Sequence, residues 1–249
     1  MTIHNGEDWE VRVGSCLDLP WPDCDHVISD PPYSQGTMRN ARSLASKGAS
    51  VAAMPVGYAG LGFHEIGRFG ELVGRHCARW CVFAIDHEGR PTWAEALADH
   101  GFHHVRVGVF RKLNPTPQFT GDRPAQGTDA VQISHRAGVR KRWNGGGLSA
   151  YWEGVAPRGR RQLRKGQKPE SLLRTWIEQF TDPGDLVVDP FCGAGTTGVA
   201  AVQLGRRFFG FELDPAVAEA AAERIRLAAR QTFFALPYQR AEQLTIPDH

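Results

Sequence analysis

The chain has 249 residues, a length that suits one large α/β domain or two small ones, and its 41% hydrophobic content excludes a disordered protein. The formal net charge is only +2, so any affinity for nucleic acid must come from local clusters of charge. Because the five cysteines include no CxxC pair and no apolar run could span a bilayer, we expect a cytoplasmic protein without disulfides, metal or membrane contact.

In chain order, short apolar runs alternate with amphipathic stretches that are typical of helices. The predicted strands are 9–13, 26–29, 80–85, 105–110, 186–188 and 208–211. The predicted helices are 64–77, 91–100, 169–180, 197–204 and 215–231. This alternation predicts an α/β fold with a mostly parallel sheet and helices on both of its faces.

Two segments interrupt the alternation, and both are basic. Residues 36–62 are rich in Gly, Ala and Ser, contain no acidic residue, and carry Arg39, Arg42 and Lys47. Residues 136–165 set nine positive charges against the single acid Glu153, with Trp143, Tyr151 and Trp152 between them. The nine basic residues are Arg136, Arg140, Lys141, Arg142, Arg158, Arg160, Arg161, Arg164 and Lys165. A solvated face is the plain alternative, but charges combined with aromatics and glycines favour a nucleic-acid surface.

The sequence SDPPYS follows the second predicted strand and forms the first motif. Proline fixes φ and has no N–H, so Asp30 is followed by two peptide units that can only accept hydrogen bonds. By itself this motif would indicate no more than a proline-rich turn. A carboxylate before a rigid corner and an aromatic ring after it also suit a site that must accept N–H groups.

A glycine-rich turn, VVDPFCGAGTTG, joins a predicted strand to a predicted helix and forms the second motif. Glu212 ends the next strand, 23 positions after Asp189, where a carboxylate can bind ribose hydroxyls. Because Gly193, Gly195 and Gly198 formally fit GxGxxG, an NAD-dependent dehydrogenase stays open. The carboxylate of Asp189 before the turn favours a cationic sulfonium ligand over a pyrophosphate. A plain strand-to-helix turn would not explain the whole constellation.

Together with GQKP at 166–169 and GFELD at 210–214, the two motifs resemble the S-adenosylmethionine-dependent, amino-directed DNA methyltransferases. The order, with the catalytic motif first and the cofactor motif last, is similar to that of the permuted beta class, the N6-adenine and N4-cytosine family. The resemblance implies one Rossmann-like methyltransferase domain over 1–249. Its parts would be a catalytic half (1–135), an inserted basic target-recognition segment (136–165) and a cofactor-binding half (166–249).

The resemblance also implies roles for matched residues. The catalytic motif would be Asp30, Pro31, Pro32 and Tyr33. The turn residues of the cofactor site would be Asp189, Phe191, Cys192, Gly193, Gly195, Thr196 and Thr197. Glu212 would bind the ribose, Leu213 would pack on the adenine, and Gln167, Lys168 and Pro169 would close the methionine end. Where the family often has Gly-Asp this chain has Gly14-Ser15-Cys16, so Ser15 and Cys16 would take that position, with a hydroxyl in place of the carboxylate.

The chemistry of an exocyclic amine explains the first motif. Such an amine is a poor nucleophile, and positive charge develops on its nitrogen as it attacks a methyl group, so the Asp30 carboxylate and the Pro31 carbonyl would accept its two N–H groups. Tyr33 would stack on a base that has flipped out of double-stranded DNA. Aspartate at the first motif position favours adenine N6, with cytosine N4 as the alternative. An inactive DNA-binding relative and a homodimer stay open.

Overall fold

The computed structural model describes residues 2–33, 60–119, 121–159 and 166–232. The strands in these ranges are β1 (Ile3–Asn5), β2 (Trp9–Val13), β3 (His26–Ser29), β4 (Trp80–Ile85), β5 (Phe102–Lys112), β6 (Thr128–Arg136), β7 (Tyr151–Gly154), β8 (Leu186–Asp189) and β9 (Arg207–Glu212). The helices are α1 (Phe63–His76), α2 (Arg90–Ala98), α3 (Glu170–Phe180), α4 (Thr196–Gln203) and α5 (Pro215–Thr232). The five predicted helices are confirmed, and their ends differ by no more than two residues.

One sheet contains all nine described strands, in the order β1-β2-β9-β8-β3-β4-β6-β5-β7. The run from β2 through β9, β8 and β3 to β4 is parallel throughout. Strand β6 is antiparallel to both of its neighbours, β4 and β5, while the edge strands β1 and β7 pair antiparallel and parallel, respectively. The predicted α/β fold with a mostly parallel sheet is therefore confirmed.

Two apolar cores cover the two faces of the sheet, and strand β4 contributes to both. Its alternate residues Trp80, Val82 and Ala84 pack in the core beneath α3, α4 and α5. The residues between them, Cys81, Phe83 and Ile85, pack in the core beneath α1 and α2. Because both faces of this strand are covered, its sequence is an unbroken apolar run, as expected for a central parallel strand. Among the residues that the structure describes, no helix combines the length and apolar character needed to cross a membrane.

Strand β6 was absent from the prediction because its buried positions include polar side chains. Gln132 and Ser134 are fully buried, and the Gln132 amide nitrogen lies 2.8 Å from Ser134 Oγ and 3.0 Å from His104 Nδ1. These hydrogen bonds offset the cost of taking polar groups out of water. A pattern search based on apolar residues alone therefore passes over this strand.

The expectation that the basic segment 136–165 interrupts the pattern of strands is wrong in part, because β7 lies inside that segment. Val109 of β5 pairs with Tyr151, so β7 extends the sheet by one parallel strand. The Trp152 indole is buried, donates to Gln179 Oε1 over 3.0 Å, and its ring centroid lies 5.6 Å from that of Trp176. Trp152 therefore stabilises the core and is not part of an exposed surface.

Candidate active site

The two motifs meet at the carboxyl ends of neighbouring parallel strands. Val27 of β3 pairs with Val188 of β8, so the chain leaves both strands at the same edge of the sheet. The Ser29 hydroxyl donates to Asp189 Oδ1 over 2.6 Å. Residues 30–33 and the turn that follows Asp189 therefore lie side by side, at the edge where α/β sheets bind their ligands.

Asp189 is a buried carboxylate at the start of the glycine-rich turn. Its Oδ1 also accepts the N–H of Phe191 at 3.0 Å. Burial raises the pKa of Asp189 to about 6, although the hydrogen bonds from Ser29 and Phe191 act in the opposite direction. The charge on this group is therefore sensitive to small changes in its hydrogen bonding near neutral pH.

Glycine is required in the turn for two reasons. Gly193 and Gly195 have φ of 53° and 74°, in the left-handed region that side chains rarely adopt. A Cβ on Gly195, the residue before α4, would also lie 3.0 Å from Ala221 Cβ on α5. The turn can thus be tight and can lie against α5 only with glycine at this position.

Glu212, at the end of β9, closes the turn with its carboxylate. The N–H of Gly193 donates to Glu212 Oε2 over 2.9 Å, and the N–H of Asp214 donates to Oε1 over 3.0 Å. The N–H of Gly195 is taken by the carbonyl of Cys192 at 2.8 Å. A bound pyrophosphate needs such backbone amides as donors, so this turn is poorly suited to a dinucleotide. Leu213, next in the chain, is 49% exposed and offers an apolar contact.

The stretch Gly14-Ser15-Cys16 lies beside Glu212, because the N–H of Gly14 donates to the Glu212 carbonyl over 2.8 Å. The Ser15 hydroxyl accepts the N–H of Leu17 at 3.1 Å and so stabilises the local turn. Cys16 is buried in the apolar core, and this burial raises the pKa of its thiol to about 12. The Cys16 side chain is therefore a neutral packing group.

The side chains around the catalytic motif form a network of two ammonium and two carboxylate groups. Lys168 Nζ lies 2.6 Å from Asp30 Oδ1 and 3.6 Å from Asp129 Oδ2. Lys112 Nζ lies 2.6 Å from Asp129 Oδ1. Lys168 also donates to the Tyr33 hydroxyl over 3.3 Å. The side chains of Asp30 and Lys112 are 28% and 22% exposed, whereas those of Lys168 and Asp129 are 7% and 2% exposed, so Asp30 is the carboxylate of the network that a substrate can reach.

The charges in this network shift the pKa values of its members. Burial lowers the pKa of Lys168, but the negative charges of Asp30 and Asp129 outweigh it and raise the pKa above its ordinary value. Burial raises the pKa of Asp30, and the Lys168 ammonium opposes that shift. Burial also raises the pKa of Tyr33, so its phenol is neutral at physiological pH. Lys168 is therefore a stable cation beside a carboxylate of increased basicity.

The structure gives Lys168 a different contact from the one that the sequence analysis assigned to it. The resemblance placed Gln167, Lys168 and Pro169 together at the methionine end of a cofactor. Gln167 does bridge to the cofactor turn, since its amide donates to Thr196 Oγ1 over 3.4 Å, and Pro169 immediately precedes α3. Lys168 contacts Asp30 of the first motif.

Two residues of the network, Asp129 and Lys112, were not found from the sequence. Asp129 lies on the unpredicted strand β6, and Lys112 lies beyond the predicted end of β5. The available signal was a charged residue at the end of β5 and another near the start of β6. That signal is informative only once the pairing of β5 with β6 is known.

The remaining turn residues are buried or packed against neighbouring elements. The Phe191 ring stacks on Phe69 of α1, with 5.6 Å between ring centroids. Cys192 is buried, and its N–H donates to the Phe211 carbonyl over 2.9 Å. Thr196 and Thr197 form the buried first turn of α4. In the first motif Pro31 is buried, and Pro32 and Tyr33 are half-buried.

Comparisons with known proteins agree with this geometry. The N6/N4 DNA methyltransferase family model, described as DNA methylase, matches residues 103–223. The Type II methyltransferase M.HinfI of Haemophilus influenzae is 25% identical over 248 residues, which cover 87% of this chain and 68% of the relative. Over residues 103–223 the chain is similar to the N6/N4 DNA methylases. The resemblance inferred from the motifs is confirmed.

A second relative matches a shorter part of this chain. The Type II methyltransferase M.XycI of Xanthomonas campestris pv. cyanopsidis is 31% identical over 144 residues, 53% of this chain. The chain spans about half of that relative, 48% of its length.

Solved structures share the fold. The M1.HpyAVI–SAM complex is 24% identical with a TM-score of 0.61, covering 82% of this chain and 89% of that one. The cytosine-N4-specific PvuII DNA methyltransferase is 16% identical with a TM-score of 0.63, covering 92% and 93%. At these identities the likeness concerns the fold alone, and it confirms the methyltransferase type of α/β fold.

The basic residues of this chain that the sequence led us to expect at a DNA surface differ in their surroundings. Seven of them lie outside the described residues: Arg39, Arg42, Lys47, Arg160, Arg161, Arg164 and Lys165. Arg140, Lys141 and Arg142 are exposed, and Arg142 pairs with Asp182 at 3.0 Å. Arg158 is exposed and donates to the carbonyl of Asn114.

Arg136 has structural contacts in place of the expected surface position. Its guanidinium donates to the carbonyls of Cys77 and Gly74, at 3.0 Å and 2.7 Å. The same group lies over the ring of Phe102, 4.6 Å from the ring centroid. Because α1 ends at His76, this arginine satisfies carbonyls at the carboxyl end of a helix. The expectation of a DNA contact at Arg136 is corrected accordingly.

Proposed function

We propose that this protein transfers a methyl group from S-adenosylmethionine to the N6 amine of adenine in double-stranded DNA. The observation that carries the proposal is the hydrogen bond from Ser29 Oγ to Asp189 Oδ1, 2.6 Å long, which joins the catalytic motif to the glycine-rich turn. Strands from both ends of the chain alternate in the sheet, with β2 beside β9 and β3 beside β8, which supports a single domain.

The residues at the glycine-rich turn fit S-adenosylmethionine better than they fit a dinucleotide. Carboxylates at Asp189 and Glu212 favour a sulfonium cation, and the amide of Gly193 is already taken by Glu212. Leu213 offers an exposed apolar side chain to an adenine ring. The M1.HpyAVI neighbour was solved in complex with SAM. When bound, the cofactor would supply an electrophilic methyl group next to the first motif.

The first motif supplies acceptors for the attacking amine. Lys168 holds Asp30 Oδ1, so the second carboxylate oxygen is left to accept an N–H of the amine. Positive charge develops on the amine nitrogen during attack, and an acceptor of raised basicity stabilises that charge more than it stabilises the neutral amine. The Pro31 carbonyl would accept the second N–H, and the Tyr33 ring would stack on the flipped base, at roughly 1–3 kcal/mol.

The proposal also specifies which base is methylated. Aspartate at position 30 favours adenine by family resemblance. The fold does not discriminate, since PvuII DNA methyltransferase, named as cytosine-N4-specific, has a similar one. Cytosine N4 is therefore the second candidate. The name Type II methyltransferase, carried by M.HinfI and M.XycI, supports DNA as the substrate and a restriction-modification setting.

The test is a methyl-transfer assay with a defined product. Purified protein is incubated with S-adenosylmethionine labelled in its methyl group and with unmethylated genomic DNA, and the nucleosides are then identified by mass spectrometry. We expect labelled N6-methyladenine, and none with the Asp30→Ala variant. N4-methylcytosine would overturn the choice of base. Cofactor binding without label in DNA would instead indicate an inactive DNA-binding relative.

A further inference from the structure

Lys168 lies between two carboxylates that come from distant parts of the chain. Its Nζ is 2.6 Å from Asp30 Oδ1 and 3.6 Å from Asp129 Oδ2. Asp129 is in turn held by Lys112, whose Nζ lies 2.6 Å from Oδ1. The four groups carry two positive and two negative charges, so the network is neutral when all of them are ionised. Asp30 and Lys168 belong to motifs that could be recognised in the sequence, whereas Asp129 and Lys112 do not.

The pairing of β5 with β6 explains how Asp129 is placed. Phe110 of β5 pairs with Asp129 of β6, and Lys112 is two residues further along β5, on the same face of the sheet. Lys112 is thus the diagonal cross-strand neighbour of Asp129, within reach of a long side chain. Lys168 enters from the loop before α3 and meets both carboxylates.

We propose that Lys168 and Asp129 are positioning residues for the transfer reaction. Lys168 fixes the Asp30 carboxylate through Oδ1, and Asp129 shares the charge of Lys168, so that Asp30 continues to act as a strong acceptor. This inference rests on the proposed function. An ammonium paired with Asp30 alone would withdraw more charge from the carboxylate and weaken the hydrogen bond that it accepts from the amine.

The electrostatics around Asp30 are consistent with this division of roles. Burial raises the pKa of Asp30, and among its neighbours Lys168 lowers that pKa whereas Asp129 raises it. The ionisable groups that face Asp30 from the surrounding elements are Tyr33, Lys112, Asp129, Lys168 and Asp189. Single neutral substitutions at Asp129 and at Lys168 should therefore act on Asp30 in opposite directions.

The test compares Asp129→Asn with Lys168→Gln. The single-turnover rate of methyl transfer is measured against pH with cofactor and DNA saturating. We expect each variant to lower the maximal rate by about tenfold to a hundredfold. The acid limb of the profile should move to lower pH in Asp129→Asn and to higher pH in Lys168→Gln. Lys168→Arg should restore part of the rate, and Asp99→Asn, an exposed substitution at the end of α2, should match the parent.

A second measurement is independent of turnover. The carboxyl carbon of Asp30, assigned with Asp30→Asn, is titrated by NMR in the parent and in both variants, without DNA. Opposite displacements of its midpoint would support the inference, and a midpoint that neither variant moves would overturn it. Weaker cofactor binding in Lys168→Gln with an unmoved midpoint would also overturn it, because Lys168 would then be a cofactor ligand. If Asp129→Asn does not fold, the Lys168→Gln midpoint decides alone. If the parent transfers no methyl group, the proposed function is refuted. The titration then still shows whether Lys168 and Asp129 act on the Asp30 carboxyl.

Discussion

The hydrogen bond from Ser29 to Asp189 gives a quantitative prediction for cofactor binding. Ser29→Ala removes the hydroxyl that donates to Asp189 Oδ1 over 2.6 Å and leaves the backbone of β3 unchanged. A hydrogen bond to a charged group contributes about 1.5–3 kcal/mol, which corresponds to a rise of about one to two units in the pKa of the carboxyl. Since burial already raises that pKa to about 6, at least about half of the variant carboxyl should be protonated at neutral pH.

The consequence for the ligand follows from the sign of the shift. A sulfonium cation binds better to the ionised form of Asp189, so the affinity of the parent should fall as the pH drops through about 6. In Ser29→Ala the same fall should occur about one to two units higher. At pH 7 the dissociation constant should therefore rise by about two- to tenfold, and the two proteins should converge in alkaline solution.

Isothermal titration calorimetry with S-adenosylmethionine, repeated from about pH 5.5 to about pH 9, measures this displacement directly. Ser171→Ala, an exposed substitution on α3, is the matched control and should follow the parent curve. If Ser29→Ala and the parent lose affinity over the same pH range, then Asp189 does not interact with the charge of the cofactor, and the reasoning fails.

Three other predictions concern the turn, the packing and the basic surface. Glu212→Ala should raise the dissociation constant for S-adenosylmethionine by about one to two orders of magnitude in calorimetry, while NAD should not bind the parent. Gly198→Ala should lower the free energy of unfolding in urea by about 1–3 kcal/mol, because its new Cβ would lie 2.7 Å from the ring of Phe208; an unchanged midpoint would contradict this packing. Replacing the exposed Arg140 and Lys141 by glutamine should flatten the salt dependence of DNA binding by about two in the logarithmic slope, and an unaltered slope would mean that they are only solvated.

The predictable part of the fold came from segments with a simple pattern. Strand β4 is an unbroken apolar run because both of its faces are covered, and α4 begins where Gly195 permits a left-handed turn. Such features are local, so the order of helices and parallel strands could be inferred. Strand β6 could not, since the buried side chains of Gln132 and Ser134 interrupt its apolar pattern, and the hydrogen bond between them forms only within the fold.

The candidate site likewise contains residues that could be found from the sequence and residues that could not. Asp30 and Glu212 lie in recognisable motifs, and their neighbourhood follows from adjacent strand ends. Asp129 and Lys112 acquire their meaning from the pairing of β5 with β6, which the sequence does not state. Arg136 shows the opposite error: a basic composition does not distinguish a guanidinium that binds the carbonyl of Cys77 from one that binds phosphate.

Loss of turnover in Asp30→Ala, with binding retained, tests the central claim most directly. The substitution removes the half-exposed carboxylate and leaves Pro31 and the glycine-rich turn in place. Transfer of labelled methyl to DNA, normalised to the protein that binds cofactor, should fall by about two to three orders of magnitude, while affinity for S-adenosylmethionine and for DNA stays within about threefold of the parent. A rate close to that of the parent in Asp30→Ala would contradict the assignment of Asp30 as the acceptor for the reacting amine.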